Sequence, residues 1–128
     1  MKKIFLSVKP QYVHKILSGE KKYEYRRVIF KDKTVKHLLI YASFPIQRVV
    51  AECEIKCIEE GCPEEIWERT NQFGGIVKKQ FTDYFKYCSK AYAICIENVK
   101  IFKEPKEINV YHLTRAPMSF CYVTTYDD

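Results

Sequence analysis

Glycine is scarce in this chain, with four residues in 128, and that scarcity excludes the phosphate-binding loops. Such loops need closely spaced glycines, because their backbone N–H groups must surround a phosphate. The adjacent pair Gly74 and Gly75 is not followed by the Gly-Lys-Ser/Thr of such a loop. The Gly-x-Ser-x-Gly turn that carries the nucleophile of many serine hydrolases is also missing.

Long apolar runs and metal-ligand spacings are lacking as well. No stretch approaches the roughly 18 apolar residues of a membrane-spanning helix. Residues 1–10 lack the apolar core and cleavage site of a signal peptide, so we expect a cytoplasmic protein. The six cysteines form no Cys-x-x-Cys pair, and the three histidines form no His-Glu-x-x-His. We therefore expect reduced, mostly buried thiols and neither a metal site nor a cofactor.

Positive charge is present in excess and is unevenly distributed. The chain has 22 Lys plus Arg against 16 Asp plus Glu, a net charge of +6. Residues 1–36 hold eleven of the basic side chains and three acidic ones, whereas residues 52–68 are rich in glutamate. One end of the molecule is therefore positive. This permits a polyanionic partner without demanding one, because positive charge also aids solubility.

Residues 4–27 predict a strand, a helix, a glycine turn and a second strand. Residues 4–8 alternate in hydrophobicity with the period of two that is typical of a strand. Pro10 suits the first turn of a helix, and Gly19 suits the position just after its end. Residues 23–26 alternate again. The ends of both strands and the C-terminal end of the helix therefore bring ionic side chains towards one edge of the predicted domain.

The rest of the chain predicts four more strands and a central pair of helices. Apolar runs and alternation place the strands at 37–43, 47–58, 90–102 and 119–123. The helices begin at Pro63 and near residue 76, with Gly74 and Gly75 between them, and residues 103–107 read as a charged turn. This order is not a βαβ series. It predicts one α+β domain over 1–128, a small mixed β-barrel of about six strands with flanking helices.

The N-terminal segment also resembles a known family. A strand, Lys-Pro, a short helix, Gly-x-Lys and a strand ending in Arg26 are similar to the ASCH domain of the PUA-like superfamily. Three further pieces fit, namely Tyr41-Ala42-Ser43-Phe44-Pro45, the strand Val49-Val50-Ala51 and Ala116-Pro117-Met118-Ser119-Phe120. The resemblance spans most of the chain. It implies a PUA-like barrel whose cleft binds RNA or a nucleotide or nucleoside ligand, in RNA metabolism or in the regulation of transcription or translation.

The resemblance and the placement of the strand ends together define a set of candidate binding residues. Cations would meet phosphate, a carboxylate and hydroxyls would read the polar edges of bases, and nearby aromatic rings would stack on them. The candidates are Ser7, Lys9, Lys21, Glu24, Arg26, Tyr41, Ser43 and Ser119. Each also has a purely structural interpretation, as a turn residue, an ion pair on a strand face or core packing.

An enzymatic function is the first alternative. Some ASCH-like proteins hydrolyse acylated nucleosides such as an acylated cytidine, with the pattern Gly-x-Lys-Thr-x-Thr-x-Arg and a distant Glu. Lys21 and Arg26 match this pattern, but Glu24 stands where the nucleophilic threonine is expected, and Glu68 is the nearest guess for the distant acid. A carboxylate does not replace that threonine as a nucleophile, although it can act as a general base towards water. Lys21 and Glu24 would then form an acid/base pair.

A protein-interaction module with a vestigial cleft is the second alternative. The binding module is the leading hypothesis, and two experiments distinguish it from the alternatives. Affinity for RNA that falls steeply with salt favours the binding module. Turnover of an acylated nucleoside that depends on Lys21 favours the enzyme.

Overall fold

The computed structural model describes residues 1–126, and its centre is a six-stranded sheet. The strands are β1 (Lys2–Val8), β2 (Tyr23–Arg26), β3 (His37–Ala42), β4 (Arg48–Gly61), β5 (Ala91–Lys106) and β6 (Phe120–Thr124). Their order across the sheet is β2-β5-β4-β3-β1-β6. β1 and β3 are parallel, and the other neighbouring pairs are antiparallel. The helices are α1 (Pro10–Ser18), α2 (Pro63–Thr70) and α3 (Lys78–Tyr84), with short 3₁₀ turns at Asn71–Phe73 and Ile108–Tyr111.

The predicted α+β class and the six strands are confirmed, but the predicted barrel does not close. β2 and β6 are the two edges of the sheet, and no backbone pairing joins them within residues 1–126. β2 has four residues, all of which pair with β5. The Arg26 side chain spans the gap instead, because its guanidinium donates to the carbonyl of Ser7 at the end of β1 and to Ser119 just before β6. The prediction of a single domain over 1–128 includes Asp127 and Asp128, which lie outside the described residues.

Helix α1 begins and ends where the sequence predicts. Pro10 occupies its first turn, and Gly19 ends it in the left-handed conformation with φ of 88°. Val13 and Ile16 are its buried residues, and they pack on one face of the sheet. This helix therefore fixes the positions of Lys9 before it and of Lys21 after it.

The two faces of the sheet carry separate hydrophobic clusters, as strand alternation requires. In β1, Ile4 and Leu6 belong to the cluster beneath α1, whereas Phe5 belongs to the cluster on the opposite face. A third cluster joins α2 and α3 to the sheet through Tyr25 of β2 and Ala93 of β5. The helical pair is thereby placed next to the end of β2, where the candidate residues lie.

β5 differs from its prediction. It continues to Lys106 and so includes four of the residues in the segment 103–107, which was predicted as a charged turn. The strand reaches this length because Lys106 pairs with Val49 at the start of β4. Asn98 adopts φ of 52° beside a register shift between the two strands, so the strand bends near the position that its sequence suggested.

The cysteines are only partly buried. Cys53 and Cys95 are buried, and burial raises the pKa of the Cys53 thiol to about 12. Cys57, four residues along β4 from Cys53, is exposed, because register shifts on β4 interrupt the alternation between them. The other three cysteines are intermediate in exposure.

No helix in the described part of the chain combines the length and hydropathy that crossing a membrane requires. Residues 1–126 also hold no group of three or more His, Cys, Asp or Glu side chains placed to bind a metal ion.

Candidate functional site

A cleft of about 780 Å³ lies where the end of β1, β2, α3 and the segment before β6 meet. Seven of the eight candidate residues line it, namely Ser7, Lys9, Lys21, Glu24, Arg26, Ser43 and Ser119. They come from four separate parts of the chain. The cleft has a buried polar floor and an exposed mouth.

The centre of the floor is an ion pair between Glu24 and Arg26, which lie two apart on one face of β2. Arg26 donates from Nε and from Nη2 to Oε2 of Glu24, at 3.1 and 2.7 Å. Its Nη2 also donates to the carbonyl of Ser7 at 2.7 Å, and its Nη1 donates to the hydroxyl of Ser119 at 3.1 Å. A weaker bond of 3.5 Å from Nη1 to the Ser119 carbonyl uses its last N–H. All five donors of Arg26 are therefore occupied by the protein.

Lys21 completes the floor and is almost fully buried, with 3% of its surface exposed. Its Nζ donates to the carbonyl of Gly74 at 2.5 Å and lies 3.6 Å from Oε1 of Glu24. The same atom is 5.3 Å from the ring centroid of Tyr12 and 4.8 Å from that of Tyr25. Burial lowers the pKa of Lys21 below its ordinary value, and the neighbouring carboxylate of Glu24 opposes this shift without cancelling it.

Gly74 and Gly75 form the wall against which Lys21 lies. A Cβ on Gly74 would lie 3.0 Å from the ring of Tyr25, and one on Gly75 would lie 2.9 Å from Cδ of Lys21. Gly75 also has φ of 70°, a conformation that L side chains rarely adopt. Lys15 of α1 donates to the carbonyl of Gly75 at 2.9 Å. The sequence predicted only a break between two helices here.

The three serines of the cleft differ in their hydrogen bonds. Ser7 donates its hydroxyl to the carbonyl of Pro117 at 2.7 Å and so fixes the segment before β6. The Ser119 hydroxyl accepts from Arg26. The hydroxyl of Ser43 has no hydrogen-bond partner among the described residues, so it is available to a ligand.

The structure separates Tyr41 from the other candidates. Its side chain is buried on the opposite face of the sheet, with its ring centroid 5.3 Å from that of Phe5. The reason is strand alternation, because the neighbouring Ile40 and Ala42 face the cluster beneath α1. Among aromatic residues near the family motifs, Tyr25 and Phe120 line the cleft, whereas Tyr41 does not.

The mouth of the cleft contains residues that the sequence analysis missed. Arg27 is exposed, and the centre of its guanidinium lies 4.3 Å from the ring centroid of Tyr84. Val28 and Met118 are apolar and also exposed. The doublet of arginines was a usable signal, since successive residues at a strand end point to opposite sides. No local signal linked Arg27 to Tyr84, because α3 follows β2 by more than fifty residues.

Glu68, the guess for the distant acid of the amidohydrolase pattern, lies outside the cleft. It lines a smaller hollow of about 340 Å³ between α2 and α3, together with Trp67. Glu24 is in the cleft, but Arg26 holds its Oε2. The structure therefore does not place the suggested distant acid, Glu68, in the same cleft as Lys21 and Glu24.

Solved structures give the most extensive comparison. A crystal structure of ASCH from Zymomonas mobilis superposes with a TM-score of 0.87, covering 95% of this chain and 87% of that one at 23% identity. A tyrosine-to-phenylalanine variant of the same protein gives a TM-score of 0.87 and covers 97% of this chain and 91% of that one at 22% identity. This chain has the fold of an ASCH domain. The resemblance that its motifs indicated is thereby confirmed for the fold.

Sequence comparisons add two named proteins that are similar to this chain. An ASCH domain-containing ribonuclease of Zymomonas mobilis is 28% identical over 97 residues, which are 76% of this chain and 66% of that protein. A large ribosomal subunit protein uL22 of Ureaplasma parvum is 28% identical over 102 residues, which are 77% of this chain. The chain spans only about a third of that protein's length, 33%. No family model matches the sequence.

Proposed function

We propose that this ASCH-fold protein binds RNA in the cleft between β2 and α3. The observation that carries the proposal is the cleft's division into a prearranged polar floor and an exposed cationic mouth. Exposed cations attract a phosphate backbone, and a cleft of about 780 Å³ has room for an unstacked base. The name of one relative, an ASCH domain-containing ribonuclease, points to the same polymer.

The geometry changes the roles that the sequence suggested. Because all five donors of Arg26 are used within the protein, Arg26 is not free to bind phosphate. Lys9 and Arg27 are exposed at the cleft and take that role. Oε1 of Glu24 lies 3.6 Å from Nζ of Lys21, beyond ordinary hydrogen-bond length, and the Ser43 hydroxyl is unengaged among the described residues. These two groups are suited to read an amino group and a polar edge of one base.

The experiment is a titration of short single-stranded RNA, followed by fluorescence anisotropy, at two salt concentrations. We expect affinity to fall steeply between about 50 and 200 mM salt, and the slope of log K against log salt to be smaller in Lys9→Ala by about 0.7. Lys56→Ala is the matched control, because Lys56 is exposed on β4 outside the cleft. Absence of binding by the unmodified protein, or equal losses in the two variants, would overturn the proposal.

We also propose RNA cleavage as a second candidate, favoured by the buried Lys21 next to Glu24. In this reaction Oε1 of Glu24 takes the proton of a ribose 2′-hydroxyl, and the 2′-oxygen attacks the adjacent phosphorus. The bond from phosphorus to the 5′-oxygen breaks as that oxygen receives a proton from Lys21. The products are a 2′,3′-cyclic phosphate and a 5′-hydroxyl. A lysine whose pKa is lowered by burial is a stronger acid than an exposed one.

Cleavage is tested with end-labelled RNA and the variants Lys21→Met and Glu24→Gln. Loss of cleavage in both variants, with RNA still bound, supports the acid/base roles. Cleavage that persists unchanged in both variants comes from a contaminant or another site, and it would refute this second candidate. An acylated cytidine serves as a parallel substrate, and turnover of it that depends on Lys21 would favour the amidohydrolase instead.

A further inference from the structure

We infer that Arg27, whose guanidinium lies over the ring of Tyr84, is a phosphate-binding subsite at the mouth of the cleft. The inference deepens the proposed RNA binding and rests on it. It names the group that takes the backbone phosphate and the ring that orients this group.

Arg27 is the one arginine of the cleft whose donors are free. Its guanidinium donates no hydrogen bond and joins no ion pair within residues 1–126. Its neighbour Arg26 makes hydrogen bonds to Glu24, Ser7 and Ser119. Both residues are arginines at the end of one short strand, so the difference in their hydrogen bonding comes from the directions in which their side chains point. Arg26 turns inward to the floor, and Arg27 turns outward to solvent.

Stacking on Tyr84 orients the guanidinium without using its N–H groups. The distance of 4.3 Å from the guanidinium carbon to the ring centroid is that of a close cation–π contact. A cation–π contact does not consume N–H donors, so the N–H groups of Arg27 stay available for hydrogen bonds. A planar, bidentate edge is the geometry that phosphate oxygens match. Fewer rotamers are then lost on binding than for an unsupported arginine, which favours affinity.

The charges around the mouth favour an anion. Glu24 is the only acid among the residues that line the cleft in the described structure, and it is buried and paired with Arg26. Lys9 lies on the same cleft and is exposed, and the side chain of Gln80 on α3 adds an amide donor. No carboxylate in the cleft lining is therefore available to neutralise Arg27 in place of a phosphate.

The first test compares Arg27→Ala with three matched variants in the RNA titration. Arg27→Ala should lower the salt slope by about 0.7, so that the affinity ratio between about 50 and 200 mM salt shrinks about 2.6-fold. Arg27→Lys and Tyr84→Leu keep the charge. They should keep the slope but weaken binding, because the planar edge or its support is lost. Tyr84→Phe keeps the ring and should bind like the unmodified protein.

A control variant and a stability measurement make these outcomes interpretable. Arg48→Ala removes an arginine outside the cleft whose partner is the exposed Glu107, and it should leave the slope unchanged. Thermal unfolding of each variant checks that the fold is retained. If RNA binds but Arg27→Ala behaves like Arg48→Ala, the subsite is refuted while the proposed function stands.

A second test separates the subsite from the proposed function. The Nε–Hε resonance of Arg27 is followed by NMR as inorganic phosphate is added. A saturable shift that Tyr84→Leu abolishes and Tyr84→Phe retains supports the subsite, even where the RNA titration shows no binding. A non-saturable shift, equal in Tyr84→Leu, would mean general ion screening and would overturn the inference.

Discussion

The floor and the mouth of the cleft use the same residue types for opposite purposes. On the floor, Arg26 and Lys21 are buried, and their donors are directed to Glu24, Gly74 and other protein groups. At the mouth, Arg27 and Lys9 are exposed and make no side-chain hydrogen bond to the described residues. The comparison teaches that the identity of a basic residue says little about its role. What decides is whether folding has already used its donors.

The largest expected effect is on the floor. Arg26→Ala removes the group that joins β2 to the ends of β1 and β6, and it leaves the buried Glu24 without its closest partner. We expect a loss of roughly 3–5 kcal/mol in the free energy of unfolding, as is typical when one member of a buried ion pair is deleted. Urea denaturation measures it.

Arg27→Ala is the matched variant, one residue away and exposed. It should change the free energy of unfolding by about 0.5 kcal/mol or less, because it breaks no buried contact. Equal losses in the two variants would contradict the division between floor and mouth.

The next largest effect on stability is expected at Gly75, which packs against Lys21. Gly75→Ala places a methyl group against the Lys21 side chain in a left-handed conformation, so we expect a loss of about 2–3 kcal/mol from strain and collision together. Gly19→Ala separates the two causes. Gly19 also has positive φ, at 88°, but nothing lies within 4 Å of its would-be Cβ. It should lose only about 1–2 kcal/mol. A Gly19→Ala loss as large as that of Gly75→Ala would show that the wall does not press on Lys21.

A smaller effect concerns the pH dependence of stability. The folded state holds the pKa of Lys21 below its ordinary value of 10.5, mainly through burial. Between the folded pKa and 10.5, the unfolded chain binds more protons than the native one, so this group makes stability rise with pH in that window. Urea denaturation of the unmodified protein and of Lys21→Met across this range isolates the contribution. Tyr12 and Tyr25 titrate above their ordinary pKa and oppose the rise in both proteins, so they cancel in the difference. A difference that is flat or falls with pH would refute the assignment.

The sequence predicted the local elements well and the contacts between distant segments poorly. α1, with Pro10 and Gly19 at its ends, follows from helix-capping chemistry, and the six strands follow from alternation and from short apolar runs. The sequence predicted a small barrel but did not show that the sheet stays open between β2 and β6, because that gap depends on strand length and on one guanidinium. Gly74 and Gly75 predicted only a break between two helices. Their contact with Lys21 was not predicted, because more than fifty residues separate them from it.

The candidate site shows the same division. Seven of its eight residues follow strand ends or family motifs and do line the cleft. Tyr41 was misplaced because its motif gives a position along the strand but not the face on which its ring lies. Arg27 was missed because nothing in its local sequence distinguishes it from other basic residues. Tyr84, which orients it, comes from a helix that no local pattern connects to β2.

The smallest expected effect lies outside the cleft lining, at the loop that follows β2, and it shows what hydrogen bonds to an exposed carboxylate contribute. Asp32 accepts hydrogen bonds from Thr34 and from Lys2, which lower its pKa to about 2. Its contribution to stability is therefore present above its ordinary pKa of 3.8 and is lost as the pH falls through about 2. An NMR titration of the side-chain carboxyl carbon should give that midpoint, and Asp32→Asn should leave RNA affinity at neutral pH unchanged. A midpoint near the ordinary value of 3.8 would mean that the Lys2 and Thr34 contacts do not persist in solution. If Asp32→Asn instead altered RNA affinity, electrostatic influence on the ligand would extend beyond the mouth of the cleft.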